Sequence, residues 1–265
     1  MNTRCVFPLV MVAAMVLFTA CTNEDDGPIN NTSGDKASLS VRMTDAPAAY
    51  DAVFVTFSEI AVHHSGEGWI VVSGDPVTIN LLEWNNGNSI ELGRTDLEAG
   101  HITQVRLMVT DASLVVDGET HELAIPSADQ TGLKIITNFE LEAGSSYTLM
   151  LDFDAHHSIV VMGPPSNPNG YKLKPTIRAV EVAATGSIAG TIVNVADAPL
   201  AVVSQGGVEV TSTPVIASDG SFRIAYLAPG MYDLKVVNTL GLEVIVGGIE
   251  VKAGQTTNVG ALVLL

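Results

Sequence analysis

The chain has 265 residues, and its 12 lysines and arginines stand against 29 aspartates and glutamates, for a formal net charge of −17. A chain this acidic repels a phosphate backbone, so nucleic acid is excluded as an expected partner. Aromatic residues make up 5% of the chain, while β-branched residues and glycine are abundant. This composition favours strands joined by tight turns, and the length suits two domains with a core each.

The first twenty residues have the pattern of an export signal. Arg4 precedes an apolar stretch over residues 6–18 that is too short for a comfortable membrane span. The junction Leu17-Phe-Thr-Ala-Cys21 resembles the lipobox of bacterial lipoproteins, in which the cysteine is acylated and the chain is cleaved before it. The resemblance implies a signal peptide over residues 1–20 and a lipid anchor (palmitate) on Cys21. An ordinary secretory signal is the alternative.

Acidic residues follow the candidate lipidation site directly, in the run Thr22-Asn-Glu-Asp-Asp26. Such a patch resembles the surface-export tether of some outer-membrane lipoproteins, which implies display on the cell surface. A solvated acidic linker on the periplasmic face is the alternative. Residues 21–36 are polar and rich in turn formers, so we predict a flexible tether.

Residues 37–184 contain short β-like runs separated by turn signals. The runs Ala52-Val-Phe-Val-Thr-Phe57 and Thr148-Leu-Met-Leu-Asp-Phe153 are β-branched or apolar, and Asn86-Gly87 and Asp117-Gly118 are typical of tight turns. A sustained helical stripe is missing, although residues 89–97 have room for a helical turn. Strands at this spacing predict an antiparallel β-sandwich or barrel.

Five motifs of this first domain carry a family resemblance. They are Met43-Thr-Asp-Ala-Pro47, Val55-Thr-Phe-Ser-Glu-Ile-Ala-Val-His63, Gln130-Thr-Gly-Leu-Lys134, Leu151-Asp-Phe-Asp-Ala155 and Lys174-Pro-Thr-Ile-Arg178. Together they are similar to a family of uncharacterised domains of bacterial lipoproteins. The resemblance implies architecture and an envelope location, and it implies nothing about mechanism.

The pattern restarts near residue 185 and continues to residue 265. The opening Gly186-Ser-Ile-Ala-Gly-Thr-Ile192, the central Asp219-Gly-Ser-Phe222 and the later Pro229-Gly-Met-Tyr232 resemble the carboxypeptidase-regulatory-like, transthyretin-like β-sandwich. That resemblance implies a structural or binding appendage of the immunoglobulin-like sandwich kind. We therefore predict an all-β protein with two β-sandwich domains in series, over residues 37–184 and 185–265, behind the signal peptide and tether.

A candidate metal site lies in the run Asp152-Phe-Asp-Ala-His-His157. Strand alternation puts Asp152 and Asp154 on one face, and Asp45 in the Thr-Asp-Ala-Pro turn can add a third carboxylate. An oxygen-rich set of this kind favours calcium over zinc. The alternative is that these carboxylates accept hydrogen bonds from loop backbone at a strand end.

A candidate binding surface follows the polar loop over residues 163–170. Tyr171, Lys172 and Lys174 supply an aromatic ring and two cations beside that loop. Trp69 and Trp84 can stack on sugar rings if they are exposed, whereas a core position for Trp69 and a loop-covering position for Trp84 are the alternatives.

Catalytic signatures are missing from the sequence. It contains no Gly-x-Ser-x-Gly elbow, no cysteine after Cys21 and no phosphate loop followed by a helix. We therefore predict no catalytic residue, no required cofactor, and a non-enzymatic envelope or surface lipoprotein that binds or scaffolds a glycan or protein. An accessory docking subunit of an outer-membrane assembly is the second hypothesis, and a carboxylate-based glycan hydrolase is the third.

Overall fold

The computed structural model describes residues 36–46, 48–126, 132–164, 168–195 and 197–265. It confirms the all-β prediction, because strands account for most of the described residues and form several sheets. Ser33–Leu265 forms a compact unit. The predicted signal peptide and Cys21 lie outside the described residues.

The first sandwich contains β1 to β12. The strands are β1 (Lys36–Ala46), β2 (Ala52–His64), β3 (Gly68–Ser73), β4 (Val77–Asn80), β5 (Ile90–Glu98), β6 (Gly100–Val116), β7 (Glu119–Ala124), β8 (Leu133–Leu141), β9 (Ser146–Asp154), β10 (Ile159–Met162), β11 (Gly170–Leu173) and β12 (Ile177–Glu181). Two 3₁₀ turns, Leu81–Glu83 and Val182–Ala184, and one helical turn, α1 (Ala155–Ser158), interrupt them. The smaller sheet has the order β12-β9-β1-β5, and the larger has β10-β11-β7-β6-β2-β3, with β4 on β2 and β8 on β6.

Alternation of apolar residues explains this sandwich. Leu39, Val41 and Met43 of β1 point inward from the smaller sheet, and Val53 and Val55 of β2 meet them from the larger sheet. All five are fully buried, and each such side chain contributes roughly 1.5–3 kcal/mol through removal from water. The outward residues of the same strands are left to meet solvent or neighbouring elements.

The second sandwich contains β13 to β19 and has its own core. The strands are β13 (Gly186–Ile192), β14 (Leu200–Gln205), β15 (Val208–Pro214), β16 (Ser221–Leu227), β17 (Gly230–Val237), β18 (Glu243–Val251) and β19 (Thr256–Leu262). One sheet has the order β16-β13-β19 and the other has β15-β14-β17-β18. Ile188, Phe222, Tyr232 and Leu234 lie between them in a cluster separate from the first core. Among the residues that the structure describes, the members of both cores lie within residues 37–264.

Two of the predicted tight turns are present, and one stretch with room for a helical turn is a strand. Asn86 and Asp117 both have a φ near +55° and are followed by glycines with positive φ, which tight hairpin turns require. The helical turn expected within residues 89–97 is wrong. That stretch is strand β5, because Leu92 and Leu97 reach the core and its backbone pairs with β1.

Candidate functional site

The three carboxylates of the predicted metal site occupy the end of the β1–β9 pair. The parallel register sets Thr44 opposite Asp152, Asp45 opposite Phe153 and Ala46 opposite Asp154. Asp45 continues the alternation of core residues in β1, and Phe153 is itself in the core. Strand alternation therefore directs the Asp45 side chain to the inner face of the sheet and the side chains of Asp152 and Asp154 to the outer face.

Asp154 caps the single helical turn α1. Its Oδ1 accepts the backbone N–H of His157 at 3.0 Å, and its Oδ2 lies 2.7 Å from His157 Nδ1. The hydrogen bond to Asp154 raises the pKa of His157, against a smaller opposing effect of burial. This carboxylate performs the backbone-capping role that was the alternative to metal binding.

Asp152 forms an ion pair within the smaller sheet. It is buried, and its Oδ2 accepts a hydrogen bond from Arg178 Nη2 at 2.6 Å. The same guanidinium donates through Nη1 to the backbone carbonyl of Tyr226 in the second sandwich, at 2.8 Å. Asp152 therefore positions the arginine that joins the two sandwiches.

Asp45 is a buried carboxyl with one oxygen engaged. Its Oδ1 accepts the backbone N–H of Ala155 at 3.1 Å, and its Oδ2 is buried without a hydrogen-bond partner. Burial raises the pKa of Asp45 well above its ordinary value, and the neighbouring charges of Asp152 and Asp154 add to the effect. A group in this setting is stabilised in its protonated form.

These carboxylates do not assemble as the calcium hypothesis requires. Asp152 is paired with Arg178, Asp154 is hydrogen-bonded to His157 and to the backbone of α1, and Asp45 points to the inner face. Within the residues that the structure describes, no group of three or more His, Cys, Asp or Glu side chains is arranged to hold a metal ion. The geometry gives the calcium prediction no support.

The predicted binding surface at Tyr171, Lys172 and Lys174 is divided between two faces. Tyr171 is 8% exposed and belongs to the first core, where its ring lies 5.1 Å from that of His121. Lys172 alternates with it and points outward, and Lys174 follows the strand in an exposed position. The ring of Tyr171 packs inside the sandwich, so it is not presented on the surface with the two lysines.

A different aromatic residue lies on an outer face. Trp69 of β3 is half-buried on the outside of the larger sheet, and its strand neighbours in register are His63, Gln104 and Ile136. Val71, two residues further along β3, is 50% exposed, and Ile136 is 84% exposed. We call the outer surface formed by His63, Trp69, Val71, Gln104, Arg106, Lys134 and Ile136 the Trp69 face.

Cations flank the ring of Trp69. The Cζ atom of Arg106 lies 4.7 Å from the ring centroid, Lys134 Nζ lies 5.8 Å away, and the His63 ring meets the indole edge-on at 5.2 Å. Arg106 is also paired with Glu59 at 2.7 Å. These cation–π contacts and this ion pair hold the Trp69 indole and the Arg106 guanidinium in a preorganised arrangement. In the sequence, the one indication of this face was Trp69 itself, which is a tryptophan in a predicted strand of otherwise aliphatic residues.

The turn at Asn86 and Gly87 joins the two sandwiches. Asn86 donates through its backbone N–H to Thr213 Oγ1 at 3.0 Å and through Nδ2 to the carbonyl of Pro214 at 3.1 Å. Its Oδ1 accepts the backbone N–H of Arg223 at 3.1 Å. Pro214 ends β15 and Arg223 lies in β16, which are edge strands of the two sheets of the second sandwich. One asparagine therefore bridges both sheets and holds the domains together.

The fold and the site define a class: an all-β protein of two joined sandwiches with an aromatic and cationic outer face. Residues 36–175 match a family described as Domain of unknown function (DUF4382). The match covers more than half of the chain, so the protein belongs to this family. No curated protein matches the chain. In the part of the chain that the structure describes, no helix is long and apolar enough to cross a membrane.

Two solved structures show a distant likeness. The Bacillus anthracis TIE protein is 12% identical with a TM-score of 0.24, and the match covers 87% of this chain and 51% of that one. This chain therefore spans about half the length of that protein. The minor pilin GBS52 of Streptococcus agalactiae is 11% identical with a TM-score of 0.21, and the match covers 86% of this chain and 96% of that one.

Proposed function

We propose that this chain is a non-enzymatic lipoprotein of the bacterial outer membrane, anchored through Cys21, that presents the Trp69 face to a protein partner at the cell surface. The observation that carries the proposal is the combination of a fixed tryptophan and arginine with exposed aliphatic side chains on one sheet. Tryptophan and arginine dominate the energetics of protein interfaces. The second sandwich then acts as a structural or docking appendage, in keeping with its carboxypeptidase-regulatory-like motifs.

A protein partner suits this face better than a glycan. Arg106 lies over the indole ring at 4.7 Å, and a sugar that stacks on an aromatic ring needs that space. The exposed Val71 and Ile136 add apolar area that a polar sugar ring uses poorly. The Trp69 face is also the outer surface of a sheet, on which neighbouring side chains form a row across four strands from Trp69 to Ile136.

Site-specific photocrosslinking in the producing bacterium tests the proposal. A photoreactive amino acid at Ile136 should give one dominant adduct with an envelope protein. The same amino acid at Val208, which is 70% exposed on the second sandwich, provides the matched control. Trp69→Ala should abolish the Ile136 adduct while the purified protein retains its β-sheet spectrum.

The alternatives predict other outcomes. An adduct that forms equally from Ile136 and Val208, or that survives Trp69→Ala, would contradict the proposed face. An adduct that disappears after enzymatic removal of surface polysaccharide would favour the glycan hypothesis. A glycan hydrolase instead needs two facing carboxylates about 5–10 Å apart, and turnover of cell-surface polysaccharide by the purified chain would establish it.

A further inference from the structure

A pocket lies between the two sandwiches, away from the Trp69 face. Its volume is about 460 Å³, within the roughly 300–1,000 Å³ range of small-molecule sites. The lining residues are Ala48, Ala49, His156, Ala198, Pro199, Leu200, Pro214, Val215, Ala217, Val237, Asn238 and Thr239. Nothing in the proposed surface role uses this pocket.

The register of the second sandwich explains one side of the pocket. Pro214 of β15, Leu200 of β14 and Val237 of β17 are direct neighbours across three strands. Leu200 and Val237 alternate with the core residues Ala201 and Val236, so they point out of the sandwich. They form an apolar row on the outer face of the sheet.

The first sandwich supplies the opposite side. Ala48 and Ala49 follow β1, and His156 lies in α1, which Asp154 caps. The Asn86 turn holds this side against the second sandwich through its hydrogen bond to Pro214, which is itself a lining residue. The pocket is therefore built by both domains and is maintained by a specific joint between them.

The chemistry of the lining selects the ligand. The chain carries 29 acidic residues, yet the lining residues that the structure describes include no aspartate, glutamate, lysine or arginine. Nine of its residues are alanine, proline, leucine or valine, and His156, Asn238 and Thr239 are the polar ones. Asn238 Oδ1 already accepts the backbone N–H groups of Leu240 and Leu242. Of the three polar side chains, His156 is exposed and offers a ring nitrogen to a ligand.

We propose that this pocket binds one small uncharged apolar molecule, whose hydrophobic body rests on the Pro214–Leu200–Val237 row. A charged ligand would lose its hydration without a counter-charge from the lining. An apolar molecule is stabilised in proportion to the apolar area that it removes from water.

The test uses residues 36–265, which contain both cores as far as the structure describes them, and the neutral fluorescent probe N-phenyl-1-naphthylamine. The wild-type fragment should enhance the probe's fluorescence in a saturable 1:1 titration. Ala49→Trp and Ala217→Trp introduce an indole from opposite sides of the pocket, at two exposed positions. Each should weaken probe binding by about tenfold or more, because the indole occupies the ligand's volume.

Ile245→Trp is the matched control, because Ile245 is 63% exposed on the outer face of the same sheet. It should bind the probe as the wild type does. Circular dichroism melting of each variant separates pocket filling from loss of fold. The proposal is overturned if the wild type shows no saturable binding, or if either folded filling variant keeps wild-type affinity. It is also overturned if the control loses binding as the filling variants do.

Discussion

Removal of the Asn86 side chain should loosen the joint between the two sandwiches. Asn86→Ala deletes the hydrogen bonds to Arg223 N–H and to the Pro214 carbonyl, each 3.1 Å long. At about 1 kcal/mol each, their loss costs the joint about 2 kcal/mol. Asn86 also has a φ of +55°, a conformation that costs alanine roughly a further 1–2 kcal/mol. We therefore expect a total destabilisation of about 3–4 kcal/mol.

Two substitutions at the same position separate these effects. Asn86→Gly keeps the positive φ accessible. Its loss of stability should therefore be smaller than that of Asn86→Ala by about the amount that the positive φ costs alanine. Asn86→Asp keeps an acceptor for Arg223 N–H and removes the donor to Pro214, so it should fall between the wild type and Asn86→Gly. Asn258→Ala is the control, because that exposed side chain accepts one hydrogen bond, from the backbone N–H of Gly260, within its own strand β19.

The assay combines urea unfolding with amide hydrogen exchange. Trp69 and Trp84 both belong to the first sandwich, so tryptophan fluorescence follows that domain. Exchange measured by mass spectrometry follows peptides of β15 and β16 in the second. Exchange in β15 and β16 that is faster than in the wild type, fastest in Asn86→Ala, then in Asn86→Gly, then in Asn86→Asp, would support the role of Asn86 in the joint. Wild-type exchange and unfolding midpoints in both Asn86→Ala and Asn86→Gly would refute it.

Four further outcomes follow from the titrating groups and the anchor. Because burial raises the folded-state pKa of Asp45, its stabilising protonation is complete below the unfolded pKa and is lost as pH rises through the folded value. Asp45→Asn should therefore flatten the decline of the urea midpoint as the pH rises above the ordinary pKa of aspartate, and an unchanged slope would contradict the assignment. His157 gains its raised pKa from Asp154, so its contribution is present below the unfolded pKa and lost above the folded one. Its NMR titration should move to lower pH in Asp154→Asn and not in Asp152→Asn. Millimolar calcium should leave the melting temperature unchanged against an EDTA control, and a rise that Asp154→Asn removes would restore the calcium hypothesis. Cys21→Ala should abolish palmitate labelling and leave the signal peptide unprocessed, and a variant that still fractionates with membranes in mature form would contradict the anchor.

Local patterns predicted much of the fold. The run Ala52 to Phe57 became part of β2 with Val53, Val55 and Phe57 in the core, because strand alternation commits every second side chain to one face. The asparagine–glycine and aspartate–glycine pairs became turns with positive φ. Family membership agrees with the motifs of the first domain, which extend along most of the matched residues.

The partners of individual side chains could not be predicted in the same way. The face of Asp45 depends on the parallel pairing of β1 with β9, two strands separated by about a hundred residues. Arg178, which neutralises Asp152, arrives from β12 on the far side of β9. Tyr171 looked like a surface aromatic beside a polar loop, and its pairing with β7 puts it in the core.

The sequence by itself determined the all-β class, the positions of many strands and turns, and the family, because these follow from local alternation and turn chemistry. Only the tertiary structure decided which charged groups pair with one another, that Trp69 lies on an outer face and where the two sandwiches meet. Those outcomes depend on sheet order and register between distant strands. Two carboxylates in one short run could therefore predict a calcium site, while Asp152 pairs with Arg178 from another strand and Asp154 caps the helical turn next to it.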